Sequence, residues 1–197
     1  MRGALFIDRD GTLIADAHYL SDATRVKLLP GAAEAVCAAA AVGVPVVVVT
    51  NQSGIARGLI TERQYLAVRD RMNALLAAEG AEVEATLHCP HWAAITGPCD
   101  CRKPGLGMYR QAEASLGIAL SQSAYIGDRW RDVQPALALG GVGILVPGSE
   151  TPVDDMEAAR SALSERVFVA ESIREAVSIA LATLGLPRPL PPATPSA

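Results

Sequence analysis

Short apolar runs recur along this chain, separated by longer stretches in which apolar residues return every three or four positions. Residues 4–7, 46–49, 85–88, 124–126 and 142–146 read as strands. Four of these runs are nearly continuously apolar, the pattern of strands buried on both faces. The stretches between them carry helical signals. Thr61-Glu62-Arg63-Gln64 fits a capping box, Met108, Ala112 and Leu116 recur along one helical face, and Gly117 is placed to end that helix. An alanine-rich helix is expected over Ala32–Ala41, with Cys37 as a small core residue. This alternation predicts an α/β fold: a doubly wound parallel sheet in a single domain.

The polar residues that follow the strands carry the chemistry. Asp8-Arg9-Asp10-Gly11-Thr12 follows the first run, Thr50-Asn51-Gln52-Ser53 the second and Gly127-Asp128 the fourth. In a doubly wound sheet, ligands bind outside the carboxyl ends of the strands, so these groups should meet at one edge. Two carboxylates two positions apart at the end of a buried strand are costly unless a cation, a proton or a reaction compensates. Mg²⁺ takes oxygen ligands, and Asp8, the backbone carbonyl of Asp10 and Asp128 would supply the protein part of its shell. A phosphate ester entering such a site would be repelled by Asp8, at about 4 kcal/mol per charge pair for ~4 Å and an effective dielectric near 20. Attack therefore needs positive charge beyond the metal, and Lys103 is the candidate.

Composition narrows the partners. The chain has 197 residues, half of them apolar, enough for one well-buried core. One domain is expected over 1–186, followed by a tail, 187–197, whose five prolines predict an extended or disordered segment. A net charge of -4 and a pI near 5.4 argue against nucleic acid or an anionic membrane as partner. The longest apolar stretch, 35–49, is interrupted by Gly43 and Pro45 and falls short of the roughly 18 to 20 residues of a membrane span. Met1-Arg2 leads straight into a strand with no apolar leader, so the chain is expected to stay in the cytoplasm; its charge favours a small soluble substrate, and its short loops make a monomer the default.

Cys89-Pro90-His91 and Cys99-Asp100-Cys101 bring three thiols and an imidazole together just before Arg102-Lys103. Four such ligands suit a closed, structural Zn²⁺ site that would fold the loop and aim Arg102 and Lys103 into the pocket. His88 belongs to the strand pattern instead. The alternatives are a disulfide between two of the cysteines, uncommon in a cytoplasmic chain, or plain buried thiols.

The ordered segments DRDGT, TNQSG, CRKP and GDRWRD resemble those of the haloacid dehalogenase (HAD) superfamily of phosphohydrolases, over residues 4 to about 146. The resemblance implies that Asp8 is a nucleophile forming an aspartyl-phosphate, and that Asp10 protonates the leaving oxygen and then activates water. It further implies that Thr50 holds the transferring phosphoryl group, that Lys103 neutralises charge shared by phosphate and Asp8, and that Asp132 steadies the metal. Within the superfamily the zinc loop, the missing cap and the run TNQSGIARG resemble the heptose 1,7-bisphosphate phosphatases and the related histidinol-phosphate phosphatases. Only seven residues separate His91 from Cys99, shorter than in typical heptose members, which keeps histidinol phosphate open. Without a cap, recognition falls to loops 16–20 and 53–58 and to the zinc loop. Arg9, Asn51, Gln52, Ser53, Arg57 and Arg102 are the expected substrate contacts, with Arg57 offered to a second phosphate. A phospho-acceptor switch domain would also combine acids, Mg²⁺, Thr and Lys, but its acceptor follows the third strand; a zinc-stabilised binding protein without catalysis would not need Asp8, Asp10, Lys103 and Asp128 together.

Overall fold

The computed structural model describes residues 1–163 and 166–185; the tail expected at 187–197 lies outside the described residues. Six strands form one sheet: β1 (Leu5–Ile7), β2 (Val46–Asn51), β3 (Ala85–Cys89), β4 (Ala124–Gly127), β5 (Val142–Leu145) and β6 (Val167–Val169). All are parallel, in the order β3-β2-β1-β4-β5-β6. The helices are α1 (Ala32–Ala41), α2 (Glu62–Ala78), α3 (Ala93–Thr96), α4 (Gly107–Leu116), α5 (Trp130–Val133), α6 (Pro135–Leu139), α7 (Val153–Ser161) and α8 (Ile173–Thr183). Among the described residues, no helix is long and apolar enough to cross a membrane.

Strand alternation divides the core. Leu5 and Ile7, with Val46, Val48, Ile126 and Ile144, pack against α1, α2 and α8. Phe6, Val47, Val49 and Tyr125 face the other way, toward α4 and α6. There Phe6 stacks on Tyr125 with ring centroids 5.3 Å apart and meets Tyr109 edge-on at 5.1 Å. Each such pair adds about 0.5–1.5 kcal/mol beyond its burial.

The five expected strands, the parallel pairing and the Ala32–Ala41 helix are all present. Thr61 and Gln64 form the full capping box of α2, and Gly117 ends α4 in the left-handed conformation. Strand β6 and helices α7 and α8 extend the sheet and its cover beyond that reading. Helix α8 buries Ile173, Ala176, Val177, Ala180 and Leu181, a helical period that starts at the cap Ser172 and was present in the sequence.

The strand order places β1 between β2 and β4, and the order reverses there. Chains leave β1 and β4 in opposite directions, opening a crevice at their carboxyl ends.

Candidate active site

Asp8 leaves the end of β1 at this crevice, its amide donating to the carbonyl of Ile126 in β4 at 2.9 Å. Asp128 follows β4 directly, and its backbone carbonyl accepts a hydrogen bond from the Thr151 hydroxyl at 2.7 Å. Asp132 comes from α5, with one oxygen accepting from the Arg129 amide at 3.1 Å. Carboxylate oxygens of Asp8, Asp128 and Asp132, all buried, lie within 4.8 Å of one another. Gly11 permits this crowding. It sits at φ +82, and a Cβ there would come within 2.6 Å of an Asp128 oxygen.

Lys103 reaches the same point from the loop before α4. Its Nζ lies 2.6 Å from Asp8 and 2.7 Å from Asp132, and it donates to the Val49 carbonyl. Burial works against its charge, but Asp132 and Asp8 outweigh it and raise the lysine pKa. The Asn51 side chain secures the lysine's backbone, accepting from its amide at 2.9 Å and donating to its carbonyl at 3.1 Å.

Asp10 has different surroundings. The buried Arg9 guanidinium grips its carboxylate through Nε and Nη2 at 2.9–3.2 Å, and Gln52 donates to it at 2.9 Å. Thr50 stands 3.4 Å from the same carboxylate and accepts from Gln52 at 2.8 Å. Burial pushes the Asp10 carboxyl above its ordinary value, with Asp8 and Asp16 adding and Arg9 opposing. A carboxyl held this way is suited to carry a proton, whereas Asp8 faces an ammonium.

Four cations face the four carboxylates: Arg9 on Asp10, Lys103 on Asp8 and Asp132, Arg129 on Asp128, and Arg131 at 4.0 Å from Asp132. Burial, then Asp8 and Asp132, still push the Asp128 carboxyl up to about 7 despite Arg129. Three buried carboxylates crowded within 4.8 Å, one of them so raised, form an all-oxygen cluster that fits a hard divalent cation such as Mg²⁺.

A second cluster closes the loop between β3 and α4. Sγ of Cys99 lies 3.7 Å from that of Cys89 and 3.6 Å from that of Cys101, and Nδ1 of His91 lies 3.7 Å from Cys89. Zn–S bonds of about 2.3 Å in a tetrahedron set sulfurs roughly 3.8 Å apart, so these edges fit. The Cys89–Cys101 and His91–Cys101 edges, 2.8 and 3.1 Å, are tighter. All four cysteines of the chain are free thiols. His88 stays apart, paired with Glu62 at 3.0 Å and tilted against the Tyr65 ring with centroids 4.1 Å apart.

Above the carboxylates opens a cavity of about 290 Å³, lined by parts of all three loops expected to meet a substrate. Ser53, Arg57 and Arg102 line it as expected. Arg9, Asn51 and Gln52 border it too, but their side chains engage Asp10 and Lys103, so the structure gives them positioning partners within the protein. Two lining residues had no expected role: Trp92, directly after the zinc-type ligand His91, and Arg131. Their neighbours in sequence were the only signal. Trp130 turns away and packs against Val133, Leu145, Ala159 and Val167.

Comparison with known proteins decides the family. The family model HAD-hydrolase-like matches residues 100–176, and that for polynucleotide kinase 3 phosphatase matches residues 4–134. A D-glycero-β-D-manno-heptose-1,7-bisphosphate 7-phosphatase of Yersinia pestis is 37% identical over 162 residues, 79% of this chain and 86% of that protein. This chain belongs to the HAD phosphatases. It is a phosphoric monoester hydrolase by that membership. The Mesorhizobium japonicum protein of the same name is 41% identical over 151 residues, covering 74% of this chain and 70% of the relative. The solved D,D-heptose 1,7-bisphosphate phosphatase of B. bronchiseptica, complexed with magnesium and phosphate, superposes with a TM-score of 0.78 at 31% identity, covering 91% of this chain and 98% of that one.

Proposed function

We propose that this HAD phosphatase removes the 7-phosphate of D-glycero-β-D-manno-heptose 1,7-bisphosphate, with Mg²⁺ among the carboxylates and Zn²⁺ in the thiol cluster. The observation that carries the chemistry is the contrast between two neighbouring carboxyls: Asp8 2.6 Å from a buried lysine, and Asp10 raised above its ordinary pKa within reach of Thr50 and Gln52. The names of the two sequence relatives and of the solved neighbour support the heptose substrate over histidinol phosphate.

Asp8 attacks phosphorus while Asp10 gives its proton to the departing sugar oxygen, leaving an aspartyl-phosphate and a free hydroxyl. Asp10, now ionised, takes a proton from water as that water attacks the phosphorus, releasing inorganic phosphate and restoring Asp8. Lys103 holds Asp8 ionised and shares the phosphoryl charge, Thr50 holds a phosphoryl oxygen, and Asp132 fixes the lysine. When bound by Asp8, Asp128 and the Asp10 carbonyl, Mg²⁺ supplies the charge that lets a dianion approach a carboxylate. Cys89, His91, Cys99 and Cys101 would hold Zn²⁺, which would brace the loop that delivers Arg102 and Lys103. Three thiols kept for a metal fit a reducing cytoplasm, and we read the protein as a cytoplasmic monomer. Phosphate release with Mg²⁺ from both anomers of heptose 1,7-bisphosphate, histidinol phosphate and fructose 1,6-bisphosphate tests the reading. The β-heptose bisphosphate should give the highest kcat/KM; preference for histidinol phosphate would overturn it.

A further inference from the structure

The mouth of the cavity is held by an aromatic and cationic stack that spans all three recognition loops. The Arg57 guanidinium lies 5.2 Å from the Tyr19 ring and 5.4 Å from the Trp92 ring. Trp92 in turn faces the Arg102 guanidinium at 5.0 Å. Arg57 also donates to the Tyr19 hydroxyl, and Arg102 to the His91 carbonyl at 3.5 Å. The outer end of the stack is seated on backbone: a Cβ on Gly54 would lie 2.6 Å from the Tyr19 ring, so that ring rests against a residue without a side chain. His18 and Tyr19 take left-handed conformations, φ 40 and 55, to present it.

We infer that Trp92 is a positioning residue that holds Arg57 and Arg102 as one rigid pair for the second phosphate of a bisphosphate substrate. This rests on the substrate class proposed above. Two arginines on separate loops repel each other and have many rotamers; an indole within cation–π distance of both attracts each guanidinium to its ring and removes much of that freedom. Each guanidinium uses an Nη1 within the protein, Arg57 on the Tyr19 hydroxyl and Arg102 on the His91 carbonyl, and its other N–H groups are the ones to meet phosphate oxygens. Among the described residues, the ring contacts of Trp92 and its hydrogen bonds with side chains go to Arg57, Arg102 and Thr96 and not to the carboxylates, so its removal should change binding of the remote phosphate and leave turnover alone.

W92A and W92L, the second keeping bulk without a π face, are compared with W92F in the full-length protein loaded with both metals, zinc content being measured in each. The substrates are heptose 1,7-bisphosphate and heptose 7-phosphate. For W92A and W92L the bisphosphate KM should rise about tenfold, the loss of two stacking contacts, with kcat and the monophosphate KM unchanged. W92F should recover most of the loss. An unaltered ratio of the two kcat/KM values in W92L, or equal loss in W92F with zinc retained, would overturn the inference.

A second readout does not depend on the substrate. Trp92 and Trp130 are the two tryptophans of the chain, so W130F leaves Trp92 as its sole indole reporter. R57A and R102A should each raise acrylamide quenching of Trp92; unchanged quenching in both would overturn the stack even if a variant at Trp92 loses zinc. Wild-type enzyme that does not prefer bisphosphate to monophosphate would refute the substrate assignment, while this quenching would still decide whether Trp92 holds the arginines.

Discussion

The floor of the cavity and its mouth are built on opposite principles. The floor is made of buried groups, Asp8 and Asp128 at strand ends, Asp132 on α5 and Lys103 on the loop before α4, with the lysine ammonium 2.6 Å from Asp8 and 2.7 Å from Asp132. The mouth is made of loops, with exposed Tyr19 and Arg57 and half-buried Trp92 and Arg102 in contact through ring faces at 5.0–5.4 Å. A buried charge that loses its partner costs about 3–5 kcal/mol, whereas a stacked surface cation is worth about 0.5–1 kcal/mol. The chemistry is therefore fixed in the scaffold, and recognition is left where small changes can retune it.

The sharpest way to break this contrast is at the floor. Asp8→Asn should lower phosphate release by at least about 10³-fold with the circular dichroism unchanged; normal turnover would remove Asp8 from the nucleophile's role. Asp10→Asn should cost roughly 10² to 10⁴ in kcat, the range for a lost acid and base. Lys103→Ala leaves Asp8 and Asp132 without their shared cation, and urea unfolding should show a loss of about 3–5 kcal/mol together with the activity.

The pH dependence of metal binding sharpens the same point. Asp128, pushed up to about 7 by burial, Asp8 and Asp132, keeps a proton that the unfolded chain, with a pKa of about 3.9, has already lost. Its contribution favours the metal-free fold below that unfolded value and turns unfavourable as pH climbs from about 4 to about 7. Mg²⁺ requires the ionised form, so the rise in Tm on adding Mg²⁺ should be larger at about pH 8 than at about pH 6. An equal rise at both would show that Asp128 does not titrate with the metal. At the mouth, Arg57→Ala should raise the bisphosphate KM by about tenfold or more and leave kcat within about twofold. A fall in kcat like that of Asp10→Asn would erase the distinction between the two regions.

The floor was legible in the sequence because strand-end geometry is local: Asp8 and Asp128 follow apolar runs directly, and parallel pairing brings those ends together. The thiol–imidazole cluster was legible by spacing, and the structure sets its members beside one another. What could not be read was the direction of individual side chains. Asn51 turns to the Lys103 backbone and Arg9 to Asp10, choices that depend on packing across 52 residues of separation in the first case. Trp92 and Arg131 were hidden for a related reason: nothing in their own residue type says that a loop will carry them to the cavity. Strand β6 is as short as β1 but, unlike β1, leads into no charged motif that marks its end, while α8 carried both a cap at Ser172 and a helical period in its own residues.

β1 is three residues long and bonded to β2 on one side and β4 on the other. Asp8 continues it without a break, its own amide tied to Ile126. The carboxylate proposed as nucleophile thus inherits the placement of one of the two middle strands of the sheet. It cannot wander unless two ladders open together, and amide exchange at Phe6 should be among the slowest to reach solvent while the loops around Tyr19 and Arg57 exchange freely.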